Sequence, residues 1–317
     1  MGSKKRNQGK KNEPSRLRAY SFVATLVIIG LIIGVSFYQT LPTVEHIPNN
    51  FTFNLQEWMP YVPPDTDYVG YINYRLAYSV SGNSSLFGEN PVVELPQLGF
   101  EIIPADVIYE VAIQLPAPQY SGSAILLQLS SSKQAILSNE LAAINTTKIH
   151  PPLMYDNYAL YGLLMREIGD NTTTPGYLAL VSHFILFSND KTGDLRNVQA
   201  VLDQITASRQ SLFDDQDVRR SVFATGITDQ SYVALFVGRF PTQLNDTEMA
   251  TKTIIGNGDS IQVSRAFLFP SSDIALARWD EAHQVYRNAA SYRVLDSWLV
   301  VTYNYPLTRI QTEIIGI

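Results

Sequence analysis

The chain has 317 residues, of which 45% are hydrophobic, 11% aromatic and 16% charged, a composition that excludes disorder throughout. It holds no cysteine, which excludes a disulfide framework, a thiolate zinc site, an iron–sulfur cluster and a cysteine nucleophile together. The net charge of −6 is unevenly spread: seven basic side chains and one acid precede residue 19, so a +6 tail leads into a body of −12, too acidic to bind nucleic acid by charge.

Taken in chain order, residues 1–18 read as a basic cytoplasmic tail. Residues 19–40 carry no charge, and their centre runs from Phe22 to Val35 almost wholly apolar. As a helix this segment would be about 33 Å long, enough to cross a hydrocarbon core of roughly 30 Å. Tyr20 and Tyr38 lie near its ends, where amphipathic rings favour the headgroup level. A cleaved signal peptide is the rival reading, but its apolar core is shorter and a small-x-small cleavage site follows it; here Tyr38-Gln39-Thr40 follows. The basic flank places the tail inside and the rest of the chain outside. Gly30 and Gly34 have the spacing that lets two membrane helices pack closely, which makes a homodimer contact one expectation and ordinary glycine content of membrane helices the other. Residues 41–66, with Pro42, Pro48, Pro60, Pro63 and Pro64, read as an extended stalk whose end Trp58, Tyr61 and Val62 can dock.

Residues 67–317 read as one α+β domain outside the membrane, with a largely antiparallel sheet and a few short helices. Strands are predicted at 68–74, 107–115, 124–129, 155–165, 177–187, 232–240, 261–269, 274–279 and 295–303, and residues 307–315 are expected to close the sheet. Helices are predicted at 131–144, along the stripe Leu195, Val198, Val201, Leu202 and Ile205, from a cap at Asp214, and near 280–290. An internal duplication is also expected, with halves 67–226 and 227–317. It matches Leu115-Pro116 with Phe269-Pro270, and the strand 124–129 with 274–279.

The run Pro64-Asp65-Thr66-Asp67-Tyr68-Val69 leads into a strand. Phe187-Ser188-Asn189-Asp190 ends one, Ser211-Leu212-Phe213-Asp214-Asp215 opens a helix, and Thr228-Asp229-Gln230-Ser231-Tyr232-Val233 turns into another strand. Together with the basic start and apolar segment, this order resembles a prokaryotic envelope family known as domain of unknown function 3352, over residues 60–240. The resemblance implies an envelope location and transfers no active site.

The residues that could carry chemistry stand apart in the sequence. His46, His150, His183 and His283 stand apart in sequence, and no nucleophile elbow or phosphate-binding glycine loop is present. His183 follows Ser182 inside an apolar run. A catalytic triad there needs an acid to converge in space, and a hydrogen-bonded sheet histidine is the alternative. Asp65 and Asp67 are read as turn residues beside a metal reading; Asp214, Asp215 and Asp217 are read as helix caps beside a calcium reading. Tyr71, Tyr74, Tyr78 and Phe87 are the aromatic residues to inspect for a sugar-stacking patch, with core packing as the alternative. Asn50, Asn83, Asn145, Asn171 and Asn245 open Asn-x-Ser/Thr sequons, all beyond the apolar segment, and are candidate glycosylation acceptors.

The expectation is a single-pass cell-membrane protein whose outer domain binds or organises envelope components, with a protein or glycan partner. No cofactor, metal, catalytic residue or nucleic-acid partner is expected. An anchored hydrolase acting through Ser or Asp, and a lipid- or solute-binding module, are the alternatives.

Overall fold

The computed structural model describes residues 42–315, apart from residues 54, 84–85, 89–91, 118–119, 121, 145–151, 168–172, 190–193, 208, 227–231 and 240–241. Residues from Val44 onward form one compact unit. The strands are β1 Val44–Glu45, β2 Tyr68–Ile72, β3 Val93–Leu95, β4 Phe100–Ile102, β5 Val107–Gln114, β6 Ser123–Leu129, β7 Leu153–Tyr155 and β8 Tyr158–Glu167. They continue with β9 Thr174–Val181, β10 Phe184–Asn189, β11 Tyr232–Gly238, β12 Met249–Asn257, β13 Ser260–Leu268, β14 Ser291–Leu295 and β15 Trp298–Pro306. The helices are α1 Tyr74–Ser81, α2 Ser131–Ile144, α3 Arg196–Ala207, α4 Gln216–Ala224, α5 Ser272–Ala277, α6 Trp279–Val285 and α7 Ile310–Ile315.

All fifteen strands join one sheet in the order β1-β14-β15-β13-β12-β11-β2-β5-β6-β10-β9-β8-β3-β4, with β7 beside β8. The middle is the antiparallel pair β2–β11, in which Tyr71 faces Leu235 and Val69 faces Val237. Outward from it the order is β5, β6, β10, β9 on one side and β12, β13, β15, β14 on the other. In the second arm the chain returns through α5 and α6 to the hairpin β14–β15, whose later strand sits beside β13; in the first it returns through α2 to β7 and β8 and then runs inward through β9 to β10.

Alternation along the strands gives both faces an apolar half, so both are covered. Val111 and Ile113 of β5 and Leu126 of β6 pack against Val198, Val201 and Leu202 of α3 and Val218 and Val222 of α4. On the opposite face Ile125, Leu127 and Ile185 pack against Leu137 and Leu141 of α2. In the second arm that opposite face carries Ala234, Ile254 and Val263, covered by Ala275 of α5, Ala282 of α6 and Ile310 of α7.

Several expectations are corrected. The α+β domain with a largely antiparallel sheet behind one membrane helix gives way to a single large mixed sheet with few helices, because β1 lies parallel on β14, Val44 opposite Val294. Among the described residues no helix is long and apolar enough to cross a membrane; the helix expected at 19–40, with Gly30 and Gly34, lies outside them. Residues 44–62 run along the domain as a strap, where an extended stalk was expected, and Trp58 and Val62 dock its end as expected. The strap starts as β1, and Trp58, Met59 and Val62 are fully buried where it ends. A buried apolar side chain of this size contributes about 1.5–3 kcal/mol when removed from water.

The predicted strand 177–187 is the hairpin β9–β10, turned at Ser182-His183 with Ser182 at φ 54°. The predicted strand 295–303 likewise holds a turn, with Asp296 at φ 50° between β14 and β15. Residues 274–279 are helical, because Ser271 caps α5 by accepting from the Ile274 amide at 3.3 Å. Residues 307–315 form a 3-10 turn and α7 rather than a closing strand. The expected duplication fails in the pairing it used: β5 adjoins β2, β13 does not adjoin β11, and the partner chosen for 124–129 is a helix.

Candidate functional site

A cavity of about 490 Å³ opens beside the N-terminus of α4, lined by Asp215, Asp217, Val218, Arg239, Glu248, Met249 and Leu268. That volume falls in the range of small-ligand sites, roughly 300–1,000 Å³. The local sequence places each wall. The Asp214 carboxylate accepts from the Ser211 amide at 2.8 Å and from Arg219 at 2.7 Å, which fixes the 3-10 turn entering α4. Asp215 is the N-cap, accepting from the Asp217 amide at 2.7 Å, so both acids stand in the first turn, where the helix dipole favours them. The cap is thus one residue later than Asp214, which serves the preceding turn.

Arg239 follows β11, and its amide donates to the Asp67 carbonyl at 2.8 Å. Gly238 permits that contact: a Cβ there would stand 2.3 Å from the Asp67 oxygen. Glu248 is held across the cavity, its amide donating to the Leu268 carbonyl at 2.9 Å. Three carboxylates therefore share the walls with one guanidinium, over a floor of Val218, Met249 and Leu268.

The other residues singled out in the sequence go to separate places. Asp65 is exposed in a turn, and the Asp67 amide donates to the Gln114 carbonyl at 2.9 Å. Among the described residues no three His, Asp or Glu side chains are placed to hold a metal ion. His46 Nδ1 contacts Asp296 Oδ1 at 2.7 Å, and His283 stacks on Tyr292 with ring centroids 3.7 Å apart. His150 lies outside the described residues. His183 faces both an acid and a hydroxyl: Glu57, from the strap, places Oε1 2.9 Å from Nε2, while Ser182 Oγ lies 3.1 Å from Nδ1.

The aromatic set is core rather than platform. Tyr71 stacks on Trp58 with centroids 5.0 Å apart, and Phe87 sits edge-on to Tyr74 and Tyr78 at 4.7 and 5.7 Å. Of the sequons, Asn50, Asn83 and Asn245 are exposed; Asn145 and Asn171 lie outside the described residues.

A half-buried acid and a buried base escape sequence reading. Glu110 of β5 accepts from the Tyr74 hydroxyl at 2.9 Å, and burial pushes its carboxyl above the usual range against the pull of that bond. Lys252 of β12 donates to the Glu313 carbonyl and lies 3.6 Å from that residue's Oε2. Burial first, then Arg265, push its ammonium down to about 8, with Glu313 opposing. Only alternation counted through β12 would have placed Lys252 inward, between Ala250 and Ile254.

No family model matches the chain, and no curated protein matches it. Among solved structures, crystal form III of TP0453 is similar at 8% identity and a TM-score of 0.45, over 82% of this chain and 98% of that one. Crystal form I of the same protein is similar at 9% identity and a TM-score of 0.45, over 83% and 97%. No function is taken from likeness at that level.

Proposed function

We propose that this chain is a binding domain tethered at the cell membrane through its apolar stretch 19–40, and that its acid-lined cavity engages a positively charged group on another envelope component. The cavity carries the reading: Asp215, Asp217 and Glu248 outnumber Arg239 over an apolar floor. Such a site attracts a cation by its uncompensated charge, and Val218, Met249 and Leu268 offer contact to an aliphatic stem like that of lysine. The apolar stretch and the +6 tail before it support the tether and its orientation.

A fluorescein-labelled hexalysine peptide titrated onto the full chain tests the binding reading by anisotropy. Saturable binding is expected, weakened about tenfold, or roughly 1.4 kcal/mol, by Glu248→Gln combined with Asp217→Asn. A hexaglutamate peptide should not bind. Binding that the double variant leaves unchanged would overturn the assignment of the cavity.

A further inference from the structure

The β9–β10 turn carries a second arrangement, separate from the cavity and independent of the binding role. Ser182 is exposed and holds a left-handed backbone at φ 54°, a conformation serine seldom adopts. The turn is fixed from outside: Gln134 of α2 donates to the Ser182 carbonyl at 3.4 Å, and the His183 ring lies against Phe184 with centroids 4.1 Å apart. Phe184 is itself fully buried, with Tyr61 of the strap edge-on at 5.5 Å. The imidazole is therefore held rather than free to sweep. Its two nitrogens face different partners: Nδ1 is 3.1 Å from Ser182 Oγ, and Nε2 is 2.9 Å from Glu57 Oε1, off the line of a well-formed hydrogen bond. The hydroxyl of Tyr109, buried and without a hydrogen-bond partner, lies close enough for Glu57's charge to add to the burial that raises its phenol.

We propose that Ser182, His183 and Glu57 form a hydrolytic centre, with Ser182 as nucleophile, His183 as general base and Glu57 as the acid that orients the imidazole. The ring serves in the sense opposite to the familiar triad, with serine on Nδ1 and acid on Nε2. The chemistry requires only that one nitrogen hold its proton toward the carboxylate while the other takes the hydroxyl's. A proton on Nε2, facing Glu57, leaves the Nδ1 lone pair toward Oγ. In the first step Oγ bonds to an ester carbonyl carbon while its proton passes to Nδ1. The carbon–oxygen bond to the alcohol then breaks, and the departing oxygen takes that proton. Water next attacks the acyl-Ser182 carbonyl and gives a proton to Nδ1. The bond to Oγ breaks, Oγ recovers the proton, and an acid and an alcohol have been formed from an ester and water. An exposed turn suits small esters with good leaving groups, such as nitrophenyl esters, whose adducts collapse with the least help from added donors.

The test is covalent labelling of the full chain by a fluorophosphonate at pH 8, read by peptide mass, alongside nitrophenyl acetate turnover. Label is expected on Ser182, at a rate that falls about a hundredfold in His183→Gln and about tenfold in Glu57→Gln. Ser182→Gly removes the hydroxyl in a residue that accepts the left-handed turn, and should melt within a few degrees of the parent while losing both label and turnover. Should Ser182→Gly not fold, the His183→Gln rate decides alone. Label on a different serine, or a Ser182 rate indifferent to His183→Gln, would overturn the proposal, while peptide binding at the α4 cavity would stand unaffected.

Discussion

Lys252 carries a charge into a place that water does not reach, and its neighbours only partly compensate. Its side chain is 4% exposed; Glu313 lies at 3.6 Å on one side, and Arg265 across the strand pair works against it. The folded value of about 8 is below the ordinary value near 10.4 of an unfolded lysine. Below pH 8 both states hold the proton, and the full cost of burying the charge is present. Between pH 8 and about 10.4 the unfolded chain holds a proton that the folded chain has released, so stability rises with pH, by up to about 1.4 kcal/mol per unit. Above pH 10 the trend reverses, because buried tyrosines such as Tyr71, pushed up to about 12, keep protons the unfolded chain loses. Urea unfolding at pH 7.5, 8.5 and 9.5 should show the rise in the parent and lose it in Lys252→Met; a flat profile in the parent would refute the account. At Gly238 the constraint is steric. A Cβ 2.3 Å from the Asp67 carbonyl oxygen and 2.7 Å from Tyr68 Cα has no flexible neighbour to displace. Gly238→Ala should lower stability by about 2–4 kcal/mol in the same assay, and would also part the Asp67–Arg239 hydrogen bond that sets one cavity wall.

Among the elements, the strap is anchored above all by Trp58. Trp58 stacks on Tyr71, meets Phe213 edge-on at 5.2 Å, and donates its indole N–H to Gln56 at 2.7 Å. Trp58→Ala should therefore cost about 3–5 kcal/mol by chemical denaturation, and a loss below 1 kcal/mol would mean the strap is not docked as described. Five prolines made residues 41–66 read as a stalk that docks only at its end, since proline speaks only for the backbone and not for what the side chains between prolines bury. The same limit explains the hairpins. Ser182-His183 and Asp296-Ser297 turn tightly with a non-glycine residue at positive φ, so no glycine punctuates two long apolar runs. A strand buried on both faces has no polar beat to show where it reverses. Residues 274–279 were legible in principle: Ser271 is a cap, but six apolar-rich residues are too few for periodicity to separate helix from strand. Of the candidate site, the acids at the start of α4 were visible as caps. Arg239 and Glu248 reach the same cavity only through the β11–β12 connection, and Glu57 reaches His183 across 126 positions of sequence, distances no local pattern encodes.

At the scale of the molecule, the charge split predicts an orientation. Protease added outside intact cells should digest the acidic body and spare the +6 tail; protection of residues 67–317 would reverse it. The sheet predicts how the domain unfolds. Its two arms have separate cores, one around Leu126 and Leu186 and one around Ile254 and Val263, and they meet along the β2–β11 ladder. That seam is not a linker. Leu235 and Val237 of β11 belong to the first core, while Ala234 and Phe236 belong to the second, so one strand is packed by both arms at once. Helix α4 repeats the coupling: Val218 and Val222 sit in the first core, while Ala224 packs with Ala266 and Trp298 of the second arm. Opening either arm would strip one side of β11 and one end of α4, exposing apolar surface that the other arm needs covered. The expected outcome is a single cooperative unit. Native-state hydrogen exchange in increasing urea should bring the amides of β6 and β13 to the same opening free energy and the same urea slope. Two separate slopes, with β13 exchanging while β6 remains protected or the reverse, would show that the shared strand does not bind the arms into one folding unit.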